Sequence, residues 1–162
     1  MTRFTFVGSS PYPARRNDWE ALAATARALL DAREEGYPGL VAAGKLAPAD
    51  ADRRLRIMRA VAAQWGAVVE QRDLPDVADY RATLGADWAE MEAELDAVAA
   101  RAAELAARRR EDRTARDQAD LAAALRWHEL PSAPGSGHPH IHVAHEYAQW
   151  ERARPVKWDS AA

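Results

Sequence analysis

The stretch that decides the fold runs from residue 88 to residue 105 and reads WAEMEAELDAVAARAAEL. Its bulky residues follow one another at alternating steps of three and four, which is the rhythm of helices that pack side by side along a narrow seam. An isolated helix gains too little from helix propensity to be stable, so this seam needs a partner surface. We therefore predict an interface formed by Trp88, Met91, Leu95, Val98 and Leu105.

Composition extends the helical prediction to the whole chain. The 162 residues are about the size of one domain, and 48% of them are hydrophobic. Alanine, the best helix former, makes up about a quarter of the chain, and Glu and Arg follow it closely in helix propensity. These features predict an all-α protein whose core contains few large side chains.

The chain divides by pattern into four segments. The first is an arm, the second a helical hairpin, and the third a short helix followed by a long coiled-coil-like helix. A Pro- and Gly-rich linker then leads into a C-terminal segment that contains His and Trp and is predicted to be partly extended. The segments are residues 1–16, 17–72, 73–130 and 131–162.

The hairpin prediction rests on helix start and stop signals. Asn17 and Glu20 have the spacing of a capping box, and Gly36 is expected to end the first helix. Pro48 suits the first position of the second helix, where its missing N–H costs nothing. The two helices share the seam rhythm, which makes them partners in a hairpin.

The long helix has two alternatives, because its seam is interrupted at Arg109 and Asp112. Either one helix of about forty residues runs from Asp87 to His128, or Thr114 caps a new helix. We favour the continuous helix with a solvated middle.

Two short segments resemble strands. The run Phe4–Val7 alternates in polarity, and Ile141–Val143 lies within a row of histidines. If they pair, they form a small ribbon at the chain ends, and if they do not, one strand edge can add to the sheet of a partner.

All five histidines lie between His128 and His145. In a strand, His138, His140 and His142 share one face, whereas in a helix His138, His142 and His145 share a side. Either geometry makes a zinc site a hypothesis, although no motif such as H-E-x-x-H accompanies the cluster. A solvated segment after the linker is the simpler interpretation. The candidate metal ligands are His138, His140, His142 and His145.

Rows of arginine raise a second hypothesis, a nucleic-acid-associated accessory protein. At helical spacing such rows neutralise phosphates, but acidic residues are interspersed, which is also typical of a solvated helix face. The candidate phosphate-binding residues are Arg56, Arg59, Arg109, Arg113 and Arg116.

Several classes of function lack their signals. The chain has no cysteine, so a thiol nucleophile or a cysteine-based zinc site is excluded. It has no Gly-rich phosphate loop and no nucleophile elbow. It also has no apolar run long enough to span a membrane and no signal-peptide pattern. We therefore expect a cytoplasmic protein that is not an enzyme.

One stretch resembles a family of small, mostly uncharacterised helical proteins encoded in proteobacterial phages and prophages. Residues 37–45 read YPGLVAAGK, and a helix beginning ADRRLRIMRAV at residue 51 follows. The family shows a Tyr-Pro-x-x-Val-x-x-Gly-Lys element before a helix that reads Ala-Asp-x-x-x-x-x-Met-x-Ala-Ile/Val. The resemblance covers about thirty residues of the 162 and carries over no functional residue. It implies a phage or mobile-element context.

The sequence thus favours a non-enzymatic interaction or assembly protein that self-associates or docks onto another protein. Binding to nucleic acid through the arginine rows and metal binding at the histidine cluster are the alternatives.

Overall fold

The structure is a computed structural model and describes residues 12–154. Over these residues the chain is all-α, and six helices pack as a bundle without any strand. The helices are α1 (Trp19–Ala42), α2 (Pro48–Val69), α3 (Tyr80–Thr83, preceded by a 3-10 turn at Val77–Asp79), α4 (Trp88–Arg108), α5 (Arg113–Glu129) and α6 (His140–Ala153). The arm's predicted strand Phe4–Val7 lies outside the described residues.

Helices α1 and α2 pack against each other as a hairpin, and so do α4 and α5. The second hairpin corrects the prediction of one continuous helix from Asp87 to His128. The chain turns back after Arg108, and Asp112 caps α5 by accepting a hydrogen bond from the Ala115 N–H at 3.1 Å. Because Arg109 and Asp112 cannot be buried without partners, the seam ends there, and the turn lets Leu125 join Leu95 in one core.

The first hairpin differs from its prediction at both ends of α1. Asp18, not Asn17, is the N-cap, and its carboxylate pairs with Arg15 instead of capping the helix. Gly36 does not end α1, which continues through Pro38 to Ala42. The residues around Pro38 are exposed, so water can satisfy the carbonyl that a proline leaves unpaired. The chain then turns at Gly44, which adopts a φ of 71°.

The C-terminal segment is helical and not extended, which corrects the prediction for Ile141–Val143. Pro139 is the N-cap of α6, and Ile141 and His145, four residues apart, are its buried side chains. The linker folds back on itself, with the His140 N–H donating to the Leu130 carbonyl at 3.0 Å.

The core lies where α2 crosses the other helices. Its largest fully buried side chains include Trp65, Tyr80, Leu22, Met58 and Met91. Trp19 and Trp88 pack against this core, as expected of tryptophans in phase with the seams. A buried ion pair joins α1 to α4, with Arg33 and Glu94 at 2.6 Å.

Candidate functional site

An open groove runs between α1 and the α4–α5 hairpin. It encloses about 830 Å³ and is lined by α1 from Ala21 to Leu40, by α4 from Val98 to Leu105 and by α5 from Gln118 to Ala122. Alanine supplies four of the ten α1 residues in the lining, at positions three and four residues apart: Ala21, Ala24, Ala28 and Ala32. Short side chains of this kind let another helix approach closely.

The groove offers few free polar groups. Arg33 is committed to Glu94, and the Thr25 hydroxyl donates to the Ala21 carbonyl at 2.7 Å. Within residues 12–154, Arg101 is the charged side chain of the lining that has no ion-pair partner. A smaller cleft of about 440 Å³ lies between α2 and α4, and its carboxylates Glu90 and Glu94 are both paired with arginines.

The predicted interface residues are distributed between the core and this groove. Met91, Leu95 and Val98 are buried inside the chain itself, so the partner surface that the seam requires is supplied by the chain's own helices. Trp88 is half-buried, and its indole N–H donates to the Glu129 carbonyl at 2.7 Å. Leu105, 37% exposed, lies at the groove.

A cluster of buried polar side chains joins α2, α3 and α6, and none of its members lines the groove. Gln64 and Tyr80 are fully buried, and the Gln64 amide donates to the Tyr80 hydroxyl at 3.1 Å. That hydroxyl lies 2.5 Å from Nε2 of His142 on α6. Because the hydroxyl accepts from Gln64, its own proton is available to His142, whose Nε2 then acts as acceptor.

Glu129 adjoins the same cluster and is fully buried at the end of α5. Burial raises the pKa of its carboxyl to about 8; the nearby Gln64 amide opposes this shift, and Glu92 adds to it. Neither carboxyl oxygen of Glu129 has a hydrogen-bond partner within residues 12–154. Near pH 7 the carboxyl is therefore neutral and carries a proton to donate. The amide oxygen of Gln64 is buried without another partner and is a suitable acceptor. Burial, with Glu129 nearby, also raises the pKa of Tyr80.

The four candidate metal ligands do not converge. His140 stacks on Trp127 with ring centroids 3.9 Å apart, His142 contacts Tyr80, and Nε2 of His145 donates to the Arg72 carbonyl at 2.8 Å. His138 stacks beside His142 at 6.1 Å. Over residues 12–154 no three His, Asp or Glu side chains are grouped so that they could hold a metal ion. The metal hypothesis therefore gains no geometric support there.

The arginine candidates separate into two groups. Arg56 on α2 makes a bidentate ion pair with Glu90 on α4, its closest contact being 2.6 Å, and Arg59 pairs with Glu34. Arg109, Arg113 and Arg116 are exposed at the turn between α4 and α5, and none has an ion-pair partner among the described residues. Sequence spacing alone could not separate structural arginines from available ones.

Neither the groove nor Glu129 was predicted from the sequence. The groove depends on how α1 diverges from the α4–α5 hairpin, and the burial of Glu129 depends on residues far away in the chain. The one available signal for the groove was the excess of alanine over leucine on α1.

Comparisons with known proteins supply no family: no protein-family model, curated protein or solved structure matches the chain. Among the described helices none is both long enough and apolar enough to cross a membrane.

Proposed function

We propose that the chain is a non-enzymatic protein-interaction module that binds an amphipathic helix of a partner protein in the groove between α1 and the α4–α5 hairpin. The observation that carries the proposal is a long, open, mostly apolar groove with a wall of alanines. Recognition of a helix in a groove uses apolar anchors at helical spacing, and the groove offers a surface of that kind.

The rim supports the same occupant. Leu40 and Leu105 are 40% and 37% exposed, and covering them removes apolar surface from water. No nucleophile, base and acid converge in the groove, so its described lining favours binding over catalysis.

The unpaired charges indicate the partner's chemistry. Arg101 lines the groove, and Arg109, Arg113 and Arg116 lie beyond its α4–α5 end, so an apolar stripe flanked by Glu or Asp is complementary.

Synthetic helical peptides test the proposal. One peptide carries leucine and alanine at helical spacing with flanking glutamates, and its reference carries lysines in their place. We expect the glutamate peptide to bind more tightly in a fluorescence anisotropy titration, and Arg101→Glu to reverse the preference. The matched control, Arg152→Glu, changes an exposed arginine of α6 that does not line the groove and should leave both affinities unchanged.

Ala102→Trp fills the groove and should abolish binding of both peptides. The proposal would be contradicted if each peptide bound Ala102→Trp as tightly as it binds the unmodified chain. Light scattering decides the alternative occupant: a dimer that Ala102→Trp converts to a monomer would make a second copy the partner.

The free arginines at the α4–α5 turn favour a second candidate function, contact with nucleic acid. If they bind phosphates, affinity for a DNA duplex must fall steeply as salt rises, and Arg113→Glu with Arg116→Glu must remove it. The control pair Arg56 and Arg59 is engaged in ion pairs and is not expected to contribute to that binding.

A further inference from the structure

We propose that α6 is a strap that neutral imidazoles fasten to the bundle and that leaves the bundle when these imidazoles take up protons. The inference is independent of the groove, because no residue of α6 lines it.

The seat of α6 contains little apolar surface. Ile141 and His145 are its buried side chains, whereas Val143, Tyr147 and Trp150 are all more than half exposed. The other attachments of α6 are polar or aromatic: the rings of His140, His142 and His145 contact Trp127, Tyr80 and the Arg72 carbonyl, and the Gln149 amide donates to Asp73 at 3.2 Å.

His145 attaches α6 to the chain just after α2. The Arg72 carbonyl can only accept, so Nε2 of His145 donates to it at 2.8 Å. The other ring nitrogen, Nδ1, is buried and has no hydrogen-bond partner among residues 12–154.

The contact of His142 runs in the opposite direction, because its ring accepts and must therefore be neutral. Its Nε2 accepts from Tyr80, which is held in place by the amide of Gln64. If the ring were charged, Nε2 would donate instead, and the buried hydroxyl would have to direct its own proton elsewhere. Protonation of His142 therefore disrupts the chain of hydrogen bonds in which Gln64 of α2 donates to Tyr80 of α3 and Tyr80 donates to His142 of α6.

The charges around His142 come from every neighbouring element. His138, in the approach to α6, and His145 disfavour a charged ring, while Glu146 on α6 and Asp76 before α3 favour it. On α5, the neutral carboxyl of Glu129 faces Tyr80. Burial is the largest effect and lowers the pKa of His142 below 6.5. Burial also lowers the pKa of His140, which stacks on Trp127.

The lowered pKa values of His140 and His142 fix the direction in which docking of α6 depends on pH. Detached α6 exposes the imidazoles of His140 and His142, which then bind protons near their ordinary pKa of 6.5, whereas in docked α6 these two rings bind fewer. Docking is therefore fully present above pH 6.5 and weakens as the pH falls below it. Detachment uncovers Tyr80 and Trp127.

Amide hydrogen exchange of the full chain tests the strap. After correction for intrinsic exchange rates, amides of α6 should lose protection by about tenfold or more between about pH 7.5 and about pH 5, while those of α2 stay protected. His142→Gln keeps an acceptor for the Tyr80 hydroxyl and cannot become charged, so it should reduce the pH-dependent loss.

His138→Gln is the matched control, because this exposed ring stacks beside His142 without any side-chain hydrogen bond among residues 12–154, and the substitution should leave most of the pH dependence in place. Should His142→Gln fail to dock at either pH, the pH dependence of the unmodified chain still decides the question. Equal protection of α6 at both pH values, or simultaneous loss in α2 and α6, would overturn the proposal.

Discussion

The buried carboxyl of Glu129, which keeps its proton near pH 7, makes the free energy of unfolding depend on pH. Glu129 has a pKa of about 8 in the folded chain and an ordinary value of 4.5 when unfolded. Between these values the folded chain binds more protons, so the free energy of unfolding falls as pH rises. We predict that Glu129→Gln, which cannot ionise, stabilises the chain at about pH 8 and changes little at about pH 4. Urea denaturation at both pH values measures this difference.

The control for this substitution is Glu111→Gln, since Glu111 is exposed at the α4–α5 turn. It should leave the free energy of unfolding unchanged at both pH values. If Glu129→Gln destabilises the chain equally at both, the buried carboxyl is not the neutral group described above.

Residue-scale chemistry was only partly readable from the sequence. The histidine cluster was visible, but the partners of His142 and His145 lie 62 and 73 residues away. Glu129 is the last residue of α5, where a carboxylate is ordinarily solvated, and no local spacing marks it as buried. Its surroundings come from Gln64 and Trp88, which only tertiary packing brings close.

The elements depend on caps that individual substitutions can test. Asp112 accepts from the Ala115 N–H at the start of α5, so Asp112→Ala should lower the free energy of unfolding by about 1 kcal/mol. Asp112→Asn, which also caps, should lose much less. Equal losses in the two variants, measured by thermal unfolding, would assign the effect to charge and not to capping.

The link between α2 and α4 makes a second prediction at this scale. Glu90 both closes the capping box of α4 and pairs with Arg56, and that pair, mainly through its hydrogen bonds, lowers the pKa of Glu90 to about 2. Glu90→Gln keeps the cap and removes the charge. Because the pair is partly exposed, we expect a loss of about 1 kcal/mol or less near pH 7.

This contribution is present above pH 4.5 and disappears as the pH falls toward 2, since the folded chain then holds fewer protons than the unfolded one. Chemical denaturation at about pH 7 and about pH 3 should therefore give a smaller difference at the lower pH. A loss that grows at low pH would contradict the assignment.

Helix boundaries were predictable where side chains give strong signals. Pro48 begins α2 as predicted, and the predicted short helix is present as α3, followed by a turn at Gly85. Gly36 and Pro38 misled the prediction, because an exposed helix tolerates both. At Arg109 and Asp112 the loss of apolar residues marked a real break, and the continuous-helix alternative was wrong.

At the scale of the whole molecule, the seam of α4 contributes both to the core and to the groove. Leu95 is fully buried in the core, whereas Leu105, ten residues on, borders the groove. We predict that Leu95→Ala lowers the free energy of unfolding by roughly 3 kcal/mol and that Leu105→Ala lowers it by less than about 1 kcal/mol. Leu105→Ala should instead weaken binding of the glutamate peptide. A large stability loss from Leu105→Ala would place it in the core.

The sequence rhythm predicted that the helices associate, and the two hairpins confirm that they pack side by side. It could not predict where they diverge, because divergence depends on the sum of contacts across α1, α4 and α5. The seam's predicted partner was another surface, but the chain supplies most of that surface from its own helices.

The α4–α5 turn has few buried side chains: from residue 99 to residue 114 every residue is exposed or intermediate. Deuterium should therefore enter these backbone amides first, and the centre of α2, around Val61 and Trp65, last. The bundle would therefore open locally at the α4–α5 turn while the centre of α2 stays folded. This difference in local stability would let the groove widen around an incoming helix without global unfolding.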